Sequence, residues 1–487
     1  MEVSYRKTAR DTIIVGIANV IGLLVGLLQL PLLTKTMGAH DYGLWSQFLV
    51  TVSLIMPFTS LGLGGAMIRF LAAERNRAEI QEGFYSVLFV ILGINLVVVI
   101  ALFGFADIIA DSFFDGATSI VRVTGIVVLI SAANSICLAL IRTFLQTVKF
   151  NIVTIAERCI QLGVIAYLAL NGYDIFSVIV SVMVVKLAVF VFLLFHIRSM
   201  VGIKRPRFSR LKQYLGYSIP LLPRGLAFWL VNLSDRYVIG FFLGSVSVGI
   251  YSAAYGLGSL PYSLEAILLF VMMATLSKLY DENRMAEVKN HLSYSLKYLM
   301  AIVIPFLFGC TIIGEPVLSL FSTPEIASSG RWVFPVIALA VTLLGVHNIM
   351  SYILMLTRRT KVLAVTWVIA AAINIGLNIL LVPQFGVIAA AITTLIAYAL
   401  GMGVVSYYSF KEFSFYIDWK FIGKSILASM VMSLVIWFMP ADTGAYTILT
   451  VIVGIVVYWM VLLLLRGFSR TEFAFFKSIL KRSGTGV

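Results

Sequence analysis

Asp174 is followed by IFSVIVSVMVVKLAVFVFLLFH, residues 175–196, and then by Arg198. A helix of about 20 apolar residues crosses the hydrocarbon of a bilayer. This stretch therefore reads as a transmembrane helix with its acidic end outside and its basic end inside. One lysine, Lys186, stands near its middle. An ionised side chain at that depth costs at least about 2.5–3.5 kcal/mol. The run thus raises two questions that govern the whole chain: how it crosses the membrane, and why it keeps charge there.

Thirteen further runs of the same kind lie on either side. The fourteen spans are 12–34, 43–66, 83–105, 119–140, 152–170, 175–196, 217–242, 247–271, 293–313, 331–356, 362–382, 385–408, 421–439 and 445–465. Every even-numbered gap and both termini are basic; about 30 of the 36 cations lie there. Examples are Arg69, Arg75 and Arg77, the gap 197–216, then Arg358, Arg359 and Lys361, and the tail from Arg466. The opposite gaps hold Asp41, Asp107, Asp111, Asp115, Asp174, Glu315, Glu325 and Asp442. Both termini are expected on the cytoplasmic side of the cell (inner) membrane. The gap 197–216 reads as basic and interfacial. The tail from Thr471 to Arg482, with Phe473, Phe476 and Leu480 at helical spacing, reads as an interfacial helix or a disordered tail.

Of the 487 residues 61% are hydrophobic, which no ordinary soluble protein matches. The basic start runs into a span too long for a cleaved signal, so it is expected to stay as an anchor. A net charge of +14 spread over short gaps forms no stripe for nucleic acid. Cys137, Cys159 and Cys310 lack metal spacing and read as small core residues. No phosphate loop, paired-histidine metal motif or nucleophile elbow occurs. The expectation is a transporter, not an enzyme, without cofactor or bound metal.

An internal repeat supports that expectation. GAHDYGLWS, residues 38–46, sits between spans 1 and 2; GSVSVGIYS, residues 244–252, sits between spans 7 and 8. Both read G-x4-G-aliphatic-aromatic-Ser. Six spans separate them, so the repeats share one orientation. The implied fold is all-α: two six-helix lobes, 1–200 and 201–410, related by an axis along the membrane normal, and a last helix pair with the tail, 411–487. Parallel repeats of this sort suit alternating access with the substrate between lobes.

Five charged residues fall well inside the spans: Lys186, Arg224, Asp235, Arg236 and Glu265. Arg224 and Asp235 are eleven residues apart, about 16 Å along one helix face. Asn232 stands one turn before Asp235, so span 7 carries a polar stripe. Lys186, Arg224 and Arg236, with Arg142 at the edge of the gap between spans 4 and 5, are candidate cations for an anionic substrate bearing phosphate. Asp235, Glu265 and Asn232 are candidates for coupling to H+ or Na+ or for ordering those cations. Plainer readings stay open: a local Asp235–Arg236 pair, snorkelling by Arg224, and topology signals alone for Arg142, Lys149 and Arg158. His347 and Asn348 read as a helix–helix hydrogen bond. Prolines inside the runs, among them Pro31, Pro57, Pro261 and Pro305, are expected to kink their helices.

The run SIPLLP, residues 218–223, leading through SDRYVIG, residues 234–240, to VGIYSAAY, residues 248–255, resembles prokaryotic polysaccharide-biosynthesis membrane proteins, the O-antigen-type lipid-linked oligosaccharide flippases. Met37-Gly38, Tyr42-Gly43-Leu44, Leu61-Gly62-Leu63-Gly64 and Ile68-Arg69-Phe70 resemble their first helix pair. The resemblance implies the multidrug/oligosaccharidyl-lipid/polysaccharide exporter superfamily, with two lobes in a V and a cation-lined cavity for a pyrophosphate-sugar headgroup. It implies a polyprenyl-linked glycan as substrate, membrane lipids around its tail, and glycan-assembly enzymes as neighbours. The competing reading is an ion-coupled multidrug or small-solute antiporter of the same fold, against which the excess of cavity cations argues.

Overall fold

A computed structural model describes residues 2–72, 74, 76–144, 146–441, 444–468 and 472, with side chains from residue 14 onward. The side chains of 147, 221, 223–228, 264, 266–271, 273 and 274 lie outside that description. So do Arg75, Asp442 and the expected tail helix from 473.

The described residues form helices joined by short loops and contain no strand. In chain order the helices are α1 (Glu2–Ser60), α2 (Leu63–Leu71), α3 (Arg77–Gly104), α4 (Ala106–Phe113), α5 (Thr118–Thr143), α6 (Thr147–Leu170), α7 (Ile175–Val201), α8 (Leu211–Ser218), α9 (Leu222–Gly258), α10 (Leu260–Asp281), α11 (Met285–Phe321), α12 (Pro324–Gly330), α13 (Val333–Leu356), α14 (Thr360–Phe385), α15 (Val387–Glu412), α16 (Trp419–Trp437) and α17 (Gly444–Leu464). Helices satisfy every backbone group internally, which hydrocarbon demands. Among the described residues, twelve stretches are long and apolar enough to cross a membrane. The protein is a multi-pass membrane protein.

Local chemistry sets the ends. Asp174 caps α7 by accepting from the Ser177 backbone, and Asp418 caps α16 by accepting from Phe421. The Ser177 hydroxyl and amide hold the Asp174 carboxyl below its usual range. Gly202, at φ 87°, stops α7. Apart from the prolines, the backbone leaves helical geometry at Gly38, Gly244 and Ile313; Pro31, Pro57 and Pro305 lie within continuous helix.

The chain divides into two compact units. The first comprises Met1–Ala253, Phe321–Ile326 and Trp367–Ala397; the second comprises Ala254–Leu320, Ala327–Thr366 and Tyr398–Val487. One cluster in the first unit gathers Met67, Phe84, Ile136 and Tyr214, and another gathers Leu33, Phe48 and Phe114. The core of the second unit gathers Leu292, Ile353, Phe421 and Tyr458. The gap after α7 is docked rather than lying free at the interface. Arg77 Nε donates to Val201 O at 2.9 Å, Tyr85 donates to Gly202 O at 2.8 Å, and Lys204 Nζ donates to Ala78 O at 3.1 Å. Arg210 pairs with Glu74 at 3.2 Å and with Glu79. The hydrogen bond to Glu74 raises the Arg210 pKa further. A basic loop that finds carboxylates and free carbonyls beside it folds back onto them.

Candidate functional site

The repeat motifs meet in space. Gly38 (φ 83°, ψ −174°) and Gly244 (φ 78°, ψ 176°) share one conformation, open essentially to glycine alone. Each turns the chain between two helical segments. A β-carbon on Gly43 would collide with the carbonyl oxygen of Ser245, and one on Gly249 would collide with that of Ala39. Ser46 Oγ lies 2.6 Å from Ser252 Oγ, 206 positions away. The same offset relates 38 to 244, 39 to 245 and 43 to 249, so the two motifs contact each other reciprocally, as a two-fold interface does. Further along, Thr51 Oγ1 and the Tyr237 hydroxyl are 2.6 Å apart, and Trp229 Nε1 donates to Ser53 Oγ at 3.0 Å.

Charged residues occupy different settings. Lys186 Nζ donates to Glu157 Oε1 at 2.8 Å, with 22% and 10% of the two side chains exposed. Asn134 Nδ2 holds the Lys186 carbonyl at 2.9 Å, fixing α7 against α5. Asp235 is fully buried. Its Oδ1 accepts from Arg236 Nη1 at 2.8 Å and from the Arg236 amide at 2.9 Å, and its Oδ2 accepts from the Tyr251 hydroxyl. Arg236 Nη1 also donates to Asn232 O at 2.9 Å, and the guanidinium lies 5.1 Å from the Tyr251 ring centre. Asp235 and Arg236 thus form the local pair, with Asn232 contributing its carbonyl. Glu265 is buried in the second unit and accepts from Asn348 Nδ2 at 3.0 Å. Its second oxygen faces Gly345, where a β-carbon would sit 3.0 Å away. That bond joins α10 to α13, and His347 is buried beside Gly401. Arg142 is exposed in the last turn of α5. The Arg224 side chain lies outside the described residues.

Three partnerships escaped sequence reasoning. Glu157 stands near the basic start of its apolar run, where the sequence gives no sign of its partner. Lys297, in the first third of α11, contacts Glu472 Oε1 and Oε2 at 2.9 Å and Asp418 at 3.8 Å. The phenyl rings of Phe421 and Phe468 lie 4.9 and 5.5 Å from its ammonium. Asn374, Asn378 and Thr393 are fully buried in the first unit, with Thr393 donating to Asn378 at 2.9 Å and Asn378 donating to Asn374 at 3.2 Å. Two asparagines four apart in an apolar run were the available signal. Among the described residues no group of three His, Cys, Asp or Glu side chains gathers to hold a metal. Cys137 and Cys310 are buried free thiols, but Cys159 is exposed rather than in the core.

Comparison with known proteins adds a family to this geometry. The family model described as polysaccharide biosynthesis protein matches residues 32–329. A Haloferax volcanii protein named as the probable low-salt glycan biosynthesis flippase Agl15 is 21% identical over 96% of this chain and 98% of its own length. The probable flippase AglR of the same organism is 28% identical over 48% of this chain and 52% of its own. Among solved structures, the lipid II flippase MurJ in an inward closed conformation has a TM-score of 0.74 at 21% identity, covering 94% of this chain and 99% of that one. This last likeness is one of fold.

Proposed function

This chain belongs to the polysaccharide biosynthesis protein family, and on that premise we propose that it flips a polyprenyl-pyrophosphate-linked oligosaccharide from the cytoplasmic to the outer leaflet. The product feeds surface glycan assembly, and the enzymes of that assembly are its functional neighbours. No covalent chemistry is involved. The observation that carries the reading is similarity along nearly the whole chain to a protein named as a glycan biosynthesis flippase. Sugars cannot cross hydrocarbon unaided, because each hydroxyl stripped of water without a partner costs several kcal/mol.

Dividing the stretches 14–60 and 229–258 at Gly38 and Gly244 turns twelve crossings into fourteen, with α10 continuing the piece after Gly244. Both termini are then cytoplasmic. Lobes 1–200 and 201–410 rock in alternating access, and the pair within 411–487 flanks the second lobe. Lys186, Arg224 and Arg142 receive the pyrophosphate; Lys186 exchanges Glu157 for the more highly charged phosphate. Arg236, held by Asp235, orders its helix instead. An H+ or Na+ gradient drives uphill movement. Asp235 already holds Arg236 and Tyr251, so Glu265, bonded to an amide, is the stronger coupling candidate.

The test is reconstitution with labelled polyprenyl-linked glycans in the inner leaflet of vesicles. Appearance of label on the outer leaflet above protein-free vesicles, reduced by Arg224→Ala, is expected. Efflux of cationic dyes with no movement of any glycan lipid would instead establish the antiporter reading.

A further inference from the structure

The geometry points to the contact between residues 38–46 and 244–252 as the outer gate of the translocation path, a seam in which two repeats close on each other about their own two-fold axis. This inference rests on the alternating-access reading above and names the residues that part.

Four observations carry it. First, Ser46 and Ser252 are repeat equivalents and touch each other. Contact between equivalents occurs only on the axis relating them, so the axis passes between these two hydroxyls. Second, the flanking contacts are reciprocal: Gly43 against the Ser245 carbonyl, and Gly249 against the Ala39 carbonyl. The backbones approach too closely for any β-carbon. Third, the positions that approach most closely are small: Ala39 and Gly43 meet Ser245 and Gly249, and Ser46 meets Ser252. Their side-chain polar contact is one hydroxyl pair, worth about 0.5–1.5 kcal/mol. Fourth, each half begins at a glycine in the same glycine-only geometry, Gly38 and Gly244, which places a bend at both edges of the seam.

A fastening sits at the rim. Asp115 accepts from the Ser245 amide at 3.1 Å, capping the segment that follows the Gly244 bend. His40 Nε2 lies 3.3 Å from the same Asp115 oxygen, Oδ2. Asp115 therefore binds the first motif to the start of the second. Both motifs lie in odd-numbered gaps, the side assigned to the exterior by the alternation of charge along the chain, so the seam closes the outer mouth.

The experiment uses the full-length chain with Cys137, Cys159 and Cys310 replaced. Ser46→Cys with Ser252→Cys is oxidised in the membrane. Cross-linking is expected to abolish glycan translocation, and reductant to return the same sample to its earlier rate. Independently, a single Ser46→Cys is labelled from outside with a membrane-impermeant maleimide. Adding Gly43→Ala or Gly249→Ala is expected to raise the labelling rate about tenfold, a shift of ~1.4 kcal/mol toward the parted state. A cross-linked protein that translocates at its reduced rate overturns the gate. So does labelling that neither glycine variant changes. Absence of glycan movement in every variant, the uncross-linked one included, refutes the proposed substrate, while the labelling arm still decides the seam.

Discussion

In the first unit, Lys186 meets one oxygen of Glu157 at 2.8 Å and keeps about a fifth of its side chain exposed. In the second unit, Lys297 meets both oxygens of Glu472 at 2.9 Å, has Asp418 beside it, and is sealed by two phenyl rings. Its exposure is 8%, and that of Glu472 is 5%. In each a lysine on an apolar helix meets a glutamate, yet only the Lys186 pair has an open side. A lysine with a single ligand atom and an open side can turn to a phosphate. A lysine ringed by two carboxylates and two aromatics is a clamp, fastening the segment after α17 to α11 and to the cap of α16. On the proposed reading, buried charge in a membrane helix signals function only when its shell is incomplete.

The largest expected effect tests the clamp. Lys297→Met leaves Glu472 buried, and Asp418 partly buried, beside no ammonium, and should cost about 3–5 kcal/mol of stability. Thermal unfolding in detergent measures it. Replacing Glu472 by Gln in the same protein should recover most of that loss and leave glycan translocation intact. A single Lys297→Met variant as stable as the parent would mean that the pair closes nothing.

The open pair should behave differently on both counts. Lys186→Met strands Glu157, but solvent access softens the penalty to on the order of 2–3 kcal/mol. The double variant Lys186→Met, Glu157→Gln should regain stability while translocation stays lost, because the pyrophosphate has then lost its cation. Recovery of translocation along with stability would place Lys186 among the clamps and erase the distinction.

Legibility in the sequence follows the same division. Apolar period and charge alternation marked the crossings, since hydrocarbon thickness and loop charge act on stretches of chain, one at a time. The glycine repeat was readable because a glycine-only turn leaves a residue-level mark at 38 and 244. Lys186 stood out for the same one-dimensional reason: it interrupts an apolar run. Its partner did not, because Glu157 is 29 positions away on the neighbouring helix, and nothing along either helix announces the pairing. Arg236 reads two ways in the sequence, as a cavity cation or as the local partner of Asp235, and the guanidinium folds back onto Asp235 and Asn232 O. Lys297 was hidden because α11 begins at Met285, well before the apolar run that marked it. A lysine near the start of a run reads as loop charge until the helix is seen to extend beneath it.

A smaller effect is expected from the Asn134→Ala change. The side chain donates a single hydrogen bond, at 2.9 Å, to the backbone carbonyl of Lys186. Its loss should cost about 1 kcal/mol, and it should lower translocation by loosening the lysine without removing its charge. Equal translocation with reduced stability would show that α7 need not be held in register for Lys186 to work.

The finest test concerns the ring that seals the clamp. Phe421 lies 4.9 Å from the Lys297 ammonium, and a partly desolvated cation–π contact contributes about 0.5–2 kcal/mol. Phe421→Leu also removes buried volume, since the ring is 1% exposed, so the single variant confounds the two effects. A double-mutant cycle with Lys297→Met separates them, because packing loss is common to both arms and the cation–π contribution is present in only one. To keep the carboxylate from dominating, Glu472→Gln is carried throughout the cycle. The expected coupling is about 0.5–1 kcal/mol, read from unfolding midpoints. A coupling of zero would mean that the rings exclude water without touching the charge energetically. The closed shell of Lys297 would then rest on its carboxylates alone, and the distinction from Lys186 would reduce to the number of oxygens each lysine meets.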